Sequence, residues 1–203
     1  MLEELLKYDT QLFIFLNNLG NTTWDGFWLF VTEKWSSIPI YAILLYLIFK
    51  NYGWKGTLVI VVCVALMITA TDQIANLFKH GVQRPRPCQV ESLKTTMRFV
   101  ADGCGRYGYF SAHAASSMAA AVFLGLSLQK WYKYLPFLLL VWAAITAYSR
   151  IYLGVHYPLD VVSGMAFGGL TGWLFYLLQK WGQKRFNPSA PFRDRRSAHP
   201  RLG

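Results

Sequence analysis

Apolar residues fill most of this chain in long runs, and polar residues gather in short islands between them. A helix needs about 20 apolar residues to cross a bilayer. Five runs approach or reach that length, and we predict a membrane-spanning helix in each. They cover roughly residues 36–49, 56–78, 112–128, 135–148 and 161–181. The first run can be extended backward through 28–35. The pattern therefore predicts an all-α integral membrane bundle of about five transmembrane helices.

The residues before the first run follow a different pattern. Leu2, Leu5 and Leu6, and then Leu12 and Phe13, recur at helical spacing among polar residues. Such a stretch is typical of an amphipathic helix that lies in the membrane interface. We expect one membrane-embedded domain over residues 1–181 and a basic polar tail over 182–203.

Composition supports a membrane protein. The chain is 54% hydrophobic and 15% charged, whereas soluble domains carry about a quarter charged residues. The net charge of +10 raises the alternative of nucleic-acid binding. However, much of the excess lies after Lys184, and a basic tail behind an apolar run is what the positive-inside rule predicts. We therefore predict a lipid bilayer and no nucleic acid as partner.

The positive-inside rule also predicts the orientation. Lys50 and Lys55 bracket one short loop, Lys130 and Lys133 bracket another, and the basic tail forms a third cluster. With five spans all three fall on one side, which is then the cytoplasm. We expect a multi-pass protein of the bacterial cytoplasmic (inner) membrane, with the N-terminus and the 79–112 loop facing the periplasm or exterior. The 79–112 loop is itself basic, which by the same rule would favour the cytoplasm. We assign its cations instead to binding an anion.

Three polar islands interrupt the apolar pattern, at 79–87, 110–113 and 149–160. All three fall at span ends on the predicted outer side. Two of them supply the cations Lys79, Arg86 and Arg150. Cations at the membrane edge are costly unless they are paired or occupied, so this surplus predicts an anion. The planar Arg fork suits phosphate oxygens, and Lys supplies a point charge.

Histidines complete the predicted chemistry. His156 and Asp160 are four residues apart, which on a helix places them on one face. A carboxylate beside an imidazole fixes its tautomer and supports the charge that forms if the ring attacks. His113 comes from another segment and is a candidate proton donor. Two histidines with three cations are suited to phosphoryl transfer.

The three islands resemble the signature motifs of the type 2 phosphatidic acid phosphatase superfamily, which also includes vanadium haloperoxidases. The matching residues are Lys79, Arg86 and Pro87 in Lys-x6-Arg-Pro, Ser111 and His113 in Pro-Ser-Gly-His, and Ser149, Arg150, His156 and Asp160 in Ser-Arg-x5-His-x3-Asp. The second motif reads FSAH here, so Phe110 and Ala112 depart from it. Ala112 stands where the family has the glycine that eases the backbone turn beside the phosphate.

The resemblance implies a role for each residue. His156 would be the nucleophile that forms a phosphohistidine, Asp160 would orient it, and His113 would be the general acid. The phosphate would be bound by Lys79, Arg86, Ser111 and Arg150. Arg84 is a further candidate for phosphate binding, and its alternative is a solvated neighbour. No metal or other cofactor is implied. Family members usually have six spans, whereas the pattern here predicts five.

Two cysteines flank the loop between the first two islands. If this loop faces an oxidising compartment, Cys88 and Cys104 are candidates for a disulfide. Cys63 lies inside an apolar run and is predicted to be buried. No Cys or His spacing indicates a metal site.

The motifs read a phosphate and not the lipid attached to it. We expect a membrane lipid phosphatase, with undecaprenyl diphosphate as the first candidate substrate. Lipid A, phosphatidylglycerol phosphate and phosphatidic acid are alternatives. A non-catalytic anionic-lipid binder or transporter would use the same pocket. A haloperoxidase shares the site chemistry but fits a membrane-embedded chain poorly. The sequence does not predict the oligomeric state.

Overall fold

The computed structural model describes residues 1–186. Six α-helices make up most of this part of the chain. They are α1 (Leu2–Asn18), α2 (Thr22–Thr32), α3 (Ile38–Val82), α4 (Ala112–Leu128), α5 (Leu135–Tyr152) and α6 (Pro158–Phe186). Short 3-10 turns occur at Lys34–Ser37, Pro87–Gln89 and Glu91–Leu93.

The long helix α3 is two helices joined at a sharp break. Gly53 has φ +64° and ψ −176°, which lies outside the helical region. A left-handed φ strains any residue with a Cβ, so glycine suits this position. Residues from both halves, Tyr41 on one side and Ile68 on the other, line one cavity. The two halves therefore lie side by side, and they correspond to the first two predicted spans.

At the centre of the bundle α4 packs tightly against α6. Gly164, Gly168 and Gly172 repeat every fourth residue on α6, and a Cβ on any of them would collide with the backbone of α4 or of its cap residue Ser111. The small residues Ala115 and Ala119 face the last two of these glycines. Small residues on facing helices let the two backbones approach closely. This close approach sets the distance between the ends of α4 and α6.

The surface of the bundle is apolar, as expected for contact with lipid. Among the described residues, three helices are apolar and long enough to cross a bilayer: Trp35–Val82, Leu135–Tyr152 and Pro158–Phe186. Ala112–Leu128 is a shorter apolar helix. Large side chains such as Phe49, Leu66 and Trp173 point outward. The chain is an integral membrane helical bundle, and five crossings with α3 crossing twice remain a prediction.

The N-terminal region differs from the prediction. α1 is the expected N-terminal helix, and its Phe13 is fully buried against the bundle. Residues 28–35 do not extend the first span backward, because Thr22–Thr32 forms a separate helix. Glu33 is extended and ends that helix, so α3 begins only at Ile38.

The predicted domain boundary at residue 181 falls inside a helix. α6 continues to Phe186, so the first five residues of the predicted tail, 182–186, are helical. The remainder of the tail, 187–203, lies outside the described residues.

Candidate active site

His156 and Asp160 form a buried pair between α5 and α6. His156 is 2% exposed and Asp160 is fully buried. His156 Nδ1 lies 3.4 Å from Asp160 Oδ2, which also accepts a hydrogen bond of 3.1 Å from the backbone N–H of Tyr157. The pairing differs from the predicted helix face, because α6 begins only at Pro158. His156 belongs to the preceding turn, and Asp160 reaches back to it from the first turn of the helix.

The turn that carries His156 is built on the end of α5. The backbone N–H groups of Val155 and His156 both donate to the carbonyl of Arg150, at 3.1 and 3.2 Å. Gly154 allows the turn with φ +79°, and a Cβ there would collide with Met97 and with the carbonyl of Arg98. Arg150 and His156 are therefore linked through the backbone as well as by sequence.

Burial determines the protonation of His156. It lowers the pKa of His156 to about 4, and the hydrogen bond to Asp160 only partly opposes this shift. The ring is therefore neutral at pH 7. A carboxylate can only accept, so the neutral ring donates from Nδ1 to Asp160. The unprotonated Nε2 is then available to attack an electrophile.

Two predicted cations, Arg86 and Arg150, interact electrostatically with His156, and the third, Lys79, interacts with both arginines. Arg86 donates from Nε to the carbonyl of Tyr107 at 3.0 Å. Arg150 donates from Nη1 to the hydroxyl of Thr32, and its buried Nε has no hydrogen-bond partner among the described residues. Lys79 donates to Asn76 Oδ1 at 3.3 Å. A buried charged donor without a partner is costly, so the arrangement favours an anion that can accept from it.

Arg84 is held by two carboxylates, and its contact with phosphate stays a prediction. Its Nη1 donates to Asp160 Oδ1 at 2.9 Å, and its Nη2 donates to Asp9 Oδ2 at 2.6 Å. Its guanidinium carbon also lies 3.9 Å from the centre of the Tyr157 ring. Both terminal nitrogens are thus engaged by carboxylates, which places Arg84 behind the His156–Asp160 pair.

The second polar island begins α4. The backbone N–H of Ser111 donates to the carbonyl of Asp160 at 3.0 Å, and Ser111 Oγ caps the helix by accepting from Ala114 N–H at 3.4 Å. Ala112 is the first helical residue. Alanine favours a helix, so the change from the family's glycine fits this backbone. His113 is exposed.

A cavity of about 430 Å³ extends from His113 between the helices. Thr32, the partner of Arg150, and Asp72 of α3 also line it. Its walls include the apolar side chains Leu124 and Trp142. The cavity therefore has both polar and apolar walls, and Thr32 connects it to Arg150.

The loop between α3 and α4 holds its arginines through cross-links. Cys88 and Cys104 are bonded, with Cα atoms 6.5 Å apart. Backbone hydrogen bonds tie Arg86 N–H to the carbonyl of Arg106 and Gly108 N–H to the carbonyl of Arg84, at 3.2 and 2.9 Å. These bonds hold the two strand-like edges of the loop together beside Asp160.

Three residues that shape the site were not predicted from the sequence. Asp9 and Thr32 come from the N-terminal helices and contact Arg84 and Arg150. Gly108 packs against the His–Asp pair, since a Cβ there would lie 3.1 Å from Asp160 Oδ2. The buried residues of α1 are Asp9, Phe13 and Asn17, and Asp9 is the charged one among them. A charged residue on the same helix face as Phe13 could have indicated a buried ion pair.

Comparison with known proteins identifies the family of this chain. The model of the PAP2 superfamily matches residues 57–184. The chain belongs to the PAP2 superfamily. It is 40% identical over 181 residues to a lipid A 4'-phosphatase of Bacteroides thetaiotaomicron, covering 88% of this chain and 80% of the relative. It is 28% identical over 184 residues to an undecaprenyl-diphosphatase of Sulfolobus acidocaldarius, covering 89% and 82%.

The fold is also found in a solved structure. A transmembrane PAP2-type phosphatidylglycerolphosphate phosphatase from Bacillus subtilis superposes with a TM-score of 0.70, covering 88% of this chain and 87% of that one. The sequences are 16% identical, so this likeness concerns the fold alone.

Proposed function

We propose that this PAP2 protein is a lipid phosphatase that works through a phosphohistidine on His156. The observation that carries the proposal is the buried, neutral His156 paired with Asp160 beside Arg86 and Arg150. Nε2 of His156 attacks phosphorus, and Nδ1–H stays bonded to Asp160. The cations bind the phosphoryl oxygens, whose charge they stabilise in the transition state.

His113 protonates the leaving oxygen in this proposal. It lines the cavity, which would hold the rest of the substrate. A water molecule then attacks the phosphohistidine, with His113 now taking its proton, and inorganic phosphate is released. No step requires a metal ion. Lys79 adds positive charge on the side of Asp72.

We propose a lipid A phosphate as the substrate. The support is the 40% identity to a lipid A 4'-phosphatase across most of both chains. Undecaprenyl diphosphate, the first candidate from the sequence, becomes the second because the relative with that activity is 28% identical. The enzyme would lie in the inner membrane with its site facing the periplasm, where the headgroup reaches the cations while the acyl chains stay in the bilayer.

Phosphate release from purified lipids in detergent tests the activity. Lipid A, undecaprenyl diphosphate, phosphatidylglycerol phosphate and phosphatidic acid are compared, each with EDTA present. We expect EDTA-resistant release that is fastest from lipid A. His156→Ala and His113→Ala should abolish or strongly reduce it, while His80→Ala, an exposed histidine outside the site, should not.

Each failure of this experiment has a distinct meaning. Full activity in His156→Ala would exclude the phosphohistidine. Loss of activity in EDTA would exclude the metal-independent mechanism. Binding of a lipid phosphate without release by the wild type would favour the binder or transporter.

A further inference from the structure

A single guanidinium connects the N-terminal helix to the His156–Asp160 pair. Arg84 bridges Asp9 of α1 and Asp160 of α6 through its two terminal nitrogens, at 2.6 and 2.9 Å. The side chains of Arg84, Asp9 and Asp160 are 13%, 5% and 0% exposed. Charge-assisted bonds at this depth are poorly screened by water. The geometry of Asp160 therefore depends on Arg84, and that of Arg84 on Asp9.

Asp9 is itself held in place by the site. Its Oδ1 accepts a hydrogen bond of 2.8 Å from the backbone N–H of Leu159, next to Asp160. One turn further along α1, Phe13 packs its ring edge-on against Tyr157, with centroids 5.4 Å apart. Docking of α1 thus places the carboxylate between the first turn of α6 and the arginine.

The charge balance gives Asp9 a consequence for the reaction. When Nε2 of His156 bonds to phosphorus, the ring becomes a cation that Asp160 must stabilise. Arg84 weakens that stabilisation, because its positive charge bonds to the other oxygen of the Asp160 carboxylate. Asp9 offsets that positive charge and fixes the direction of the guanidinium. Without Asp9, the charge of Arg84 would be balanced by Asp160 alone, and the bond between Asp160 and His156 would weaken.

We propose that Asp9 is a positioning residue for phosphoryl transfer, acting through Arg84 on Asp160, so that docking of the N-terminal helix sets the orientation of His156. This rests on the proposed function. The prediction concerns turnover more than binding, because Asp9 and Arg84 stand behind the His156–Asp160 pair, on the side away from Nε2.

Steady-state hydrolysis of purified lipid A in detergent tests the proposal, with Asp9→Asn, Arg84→Gln and the double variant. For Asp9→Asn we expect kcat to fall by roughly tenfold to a hundredfold, by analogy with the range seen when a residue that orients a metal-binding histidine is removed. KM and the inhibition constant of inorganic phosphate should stay within about twofold, because Arg86 and Arg150 are unchanged. The double variant should be no slower than Arg84→Gln if Asp9 acts through that residue.

Controls on the same helix separate positioning from folding. Glu3→Gln and Glu4→Gln remove exposed carboxylates of α1 and should leave kcat unchanged. Asp9→Glu keeps the charge and should recover part of the lost turnover. If Asp9→Asn cannot be purified folded, Arg84→Lys is measured under the same criteria, since it keeps the charge but loses the planar fork that faces both carboxylates.

Two results would overturn the proposal. One is a wild-type kcat in Asp9→Asn. The other is a loss in the double variant equal to the product of the two single losses, which would mean that Asp9 acts independently of Arg84. Failure of the wild type to hydrolyse any lipid phosphate would instead overturn the proposed function.

Discussion

Two adjacent glycines on α6 provide a sharp test of the bundle geometry. A Cβ on Gly168 would overlap the carbonyl group of Ala115, lying 2.8 Å from its carbon and 2.9 Å from the Cα. A Cβ on Gly169 would meet only Met118, with Cγ at an ordinary 3.8 Å. Gly168→Ala and Gly169→Ala thus make the same chemical change on the same helix with opposite steric consequences.

The magnitudes follow from these contacts. Replacing glycine by alanine inside a helix stabilises it by roughly 0.5–1 kcal/mol through backbone entropy. At Gly168 the new methyl group meets backbone, which cannot rotate away, and overpacking of this kind costs about 1–3 kcal/mol. We expect Gly169→Ala to be neutral or stabilising. Gly168→Ala should be destabilised by a net of up to about 2.5 kcal/mol once the entropic gain is subtracted, with a melting temperature lower by up to roughly 10 °C at 2–4 °C per kcal/mol.

The same change should reduce activity before it unfolds the protein. Pushing α4 away from α6 stretches the 3.0 Å bond from Ser111 N–H to the carbonyl of Asp160. His113 begins the same helix and would move relative to His156. We therefore expect Gly168→Ala to lose turnover at temperatures where it remains folded.

Thermal unfolding in detergent and phosphate release on the same preparations check this prediction. Equal melting temperatures for the two variants, or a lower one for Gly169→Ala, would refute the close α4–α6 contact. Normal turnover in a destabilised Gly168→Ala would refute the coupling of that contact to the site.

Four further predictions concern other parts of the molecule. The value of kcat/KM should stay constant as the pH falls from 7 and decline only near pH 4, because burial lowers the pKa of His156 to about 4. A decline with its midpoint near pH 6.5 would contradict this. The same shift should make the folded state less stable as the pH drops from about 6.5 towards 4, since the unfolded histidine takes up a proton that the buried one does not. Cys88 and Cys104 should resist thiol labelling in intact cells until they are reduced, and labelling beforehand would count against a disulfide. Thr146→Val should raise the melting temperature, because Thr146 Oγ1 is buried without a hydrogen-bond partner among the described residues. Burying such a group costs about 1–3 kcal/mol. A lower melting temperature would show that the hydroxyl forms a stabilising contact.

Local patterns explain why much of the bundle was predictable. Apolar runs of sufficient length specify spanning helices wherever they occur. The predicted limits of α4 match the structure, Ala112–Leu128. The break between the first two spans was also readable, because Gly53 lies between Lys50 and Lys55 in an otherwise apolar stretch. Membrane topology then brings span ends together without further information.

Long-range contacts explain what the sequence did not reveal. Asp9 meets Arg84 across 75 positions and Leu159 across 150. No periodicity within α1 specifies those partners, because an interfacial helix and a docked helix need the same apolar stripe. The predicted contact between His156 and Asp160 is present. However, the two residues do not share a helix, because α6 begins at Pro158. A turn followed by the first residues of a helix brings the two side chains together, as a continuous helix would.

The distribution of charge at the site argues for anion binding independently of the motifs. Among residues 1–186, the carboxylates of Asp9 and Asp160 are both engaged by Arg84. No carboxylate in that part of the chain lies within 4.0 Å of the nitrogens of Lys79, Arg86 or Arg150. Three cations held close together repel one another, and burial makes that repulsion stronger. A fold that neutralises Arg84 twice, while it leaves these three without an ion pair, places its excess positive charge where a phosphate can occupy it.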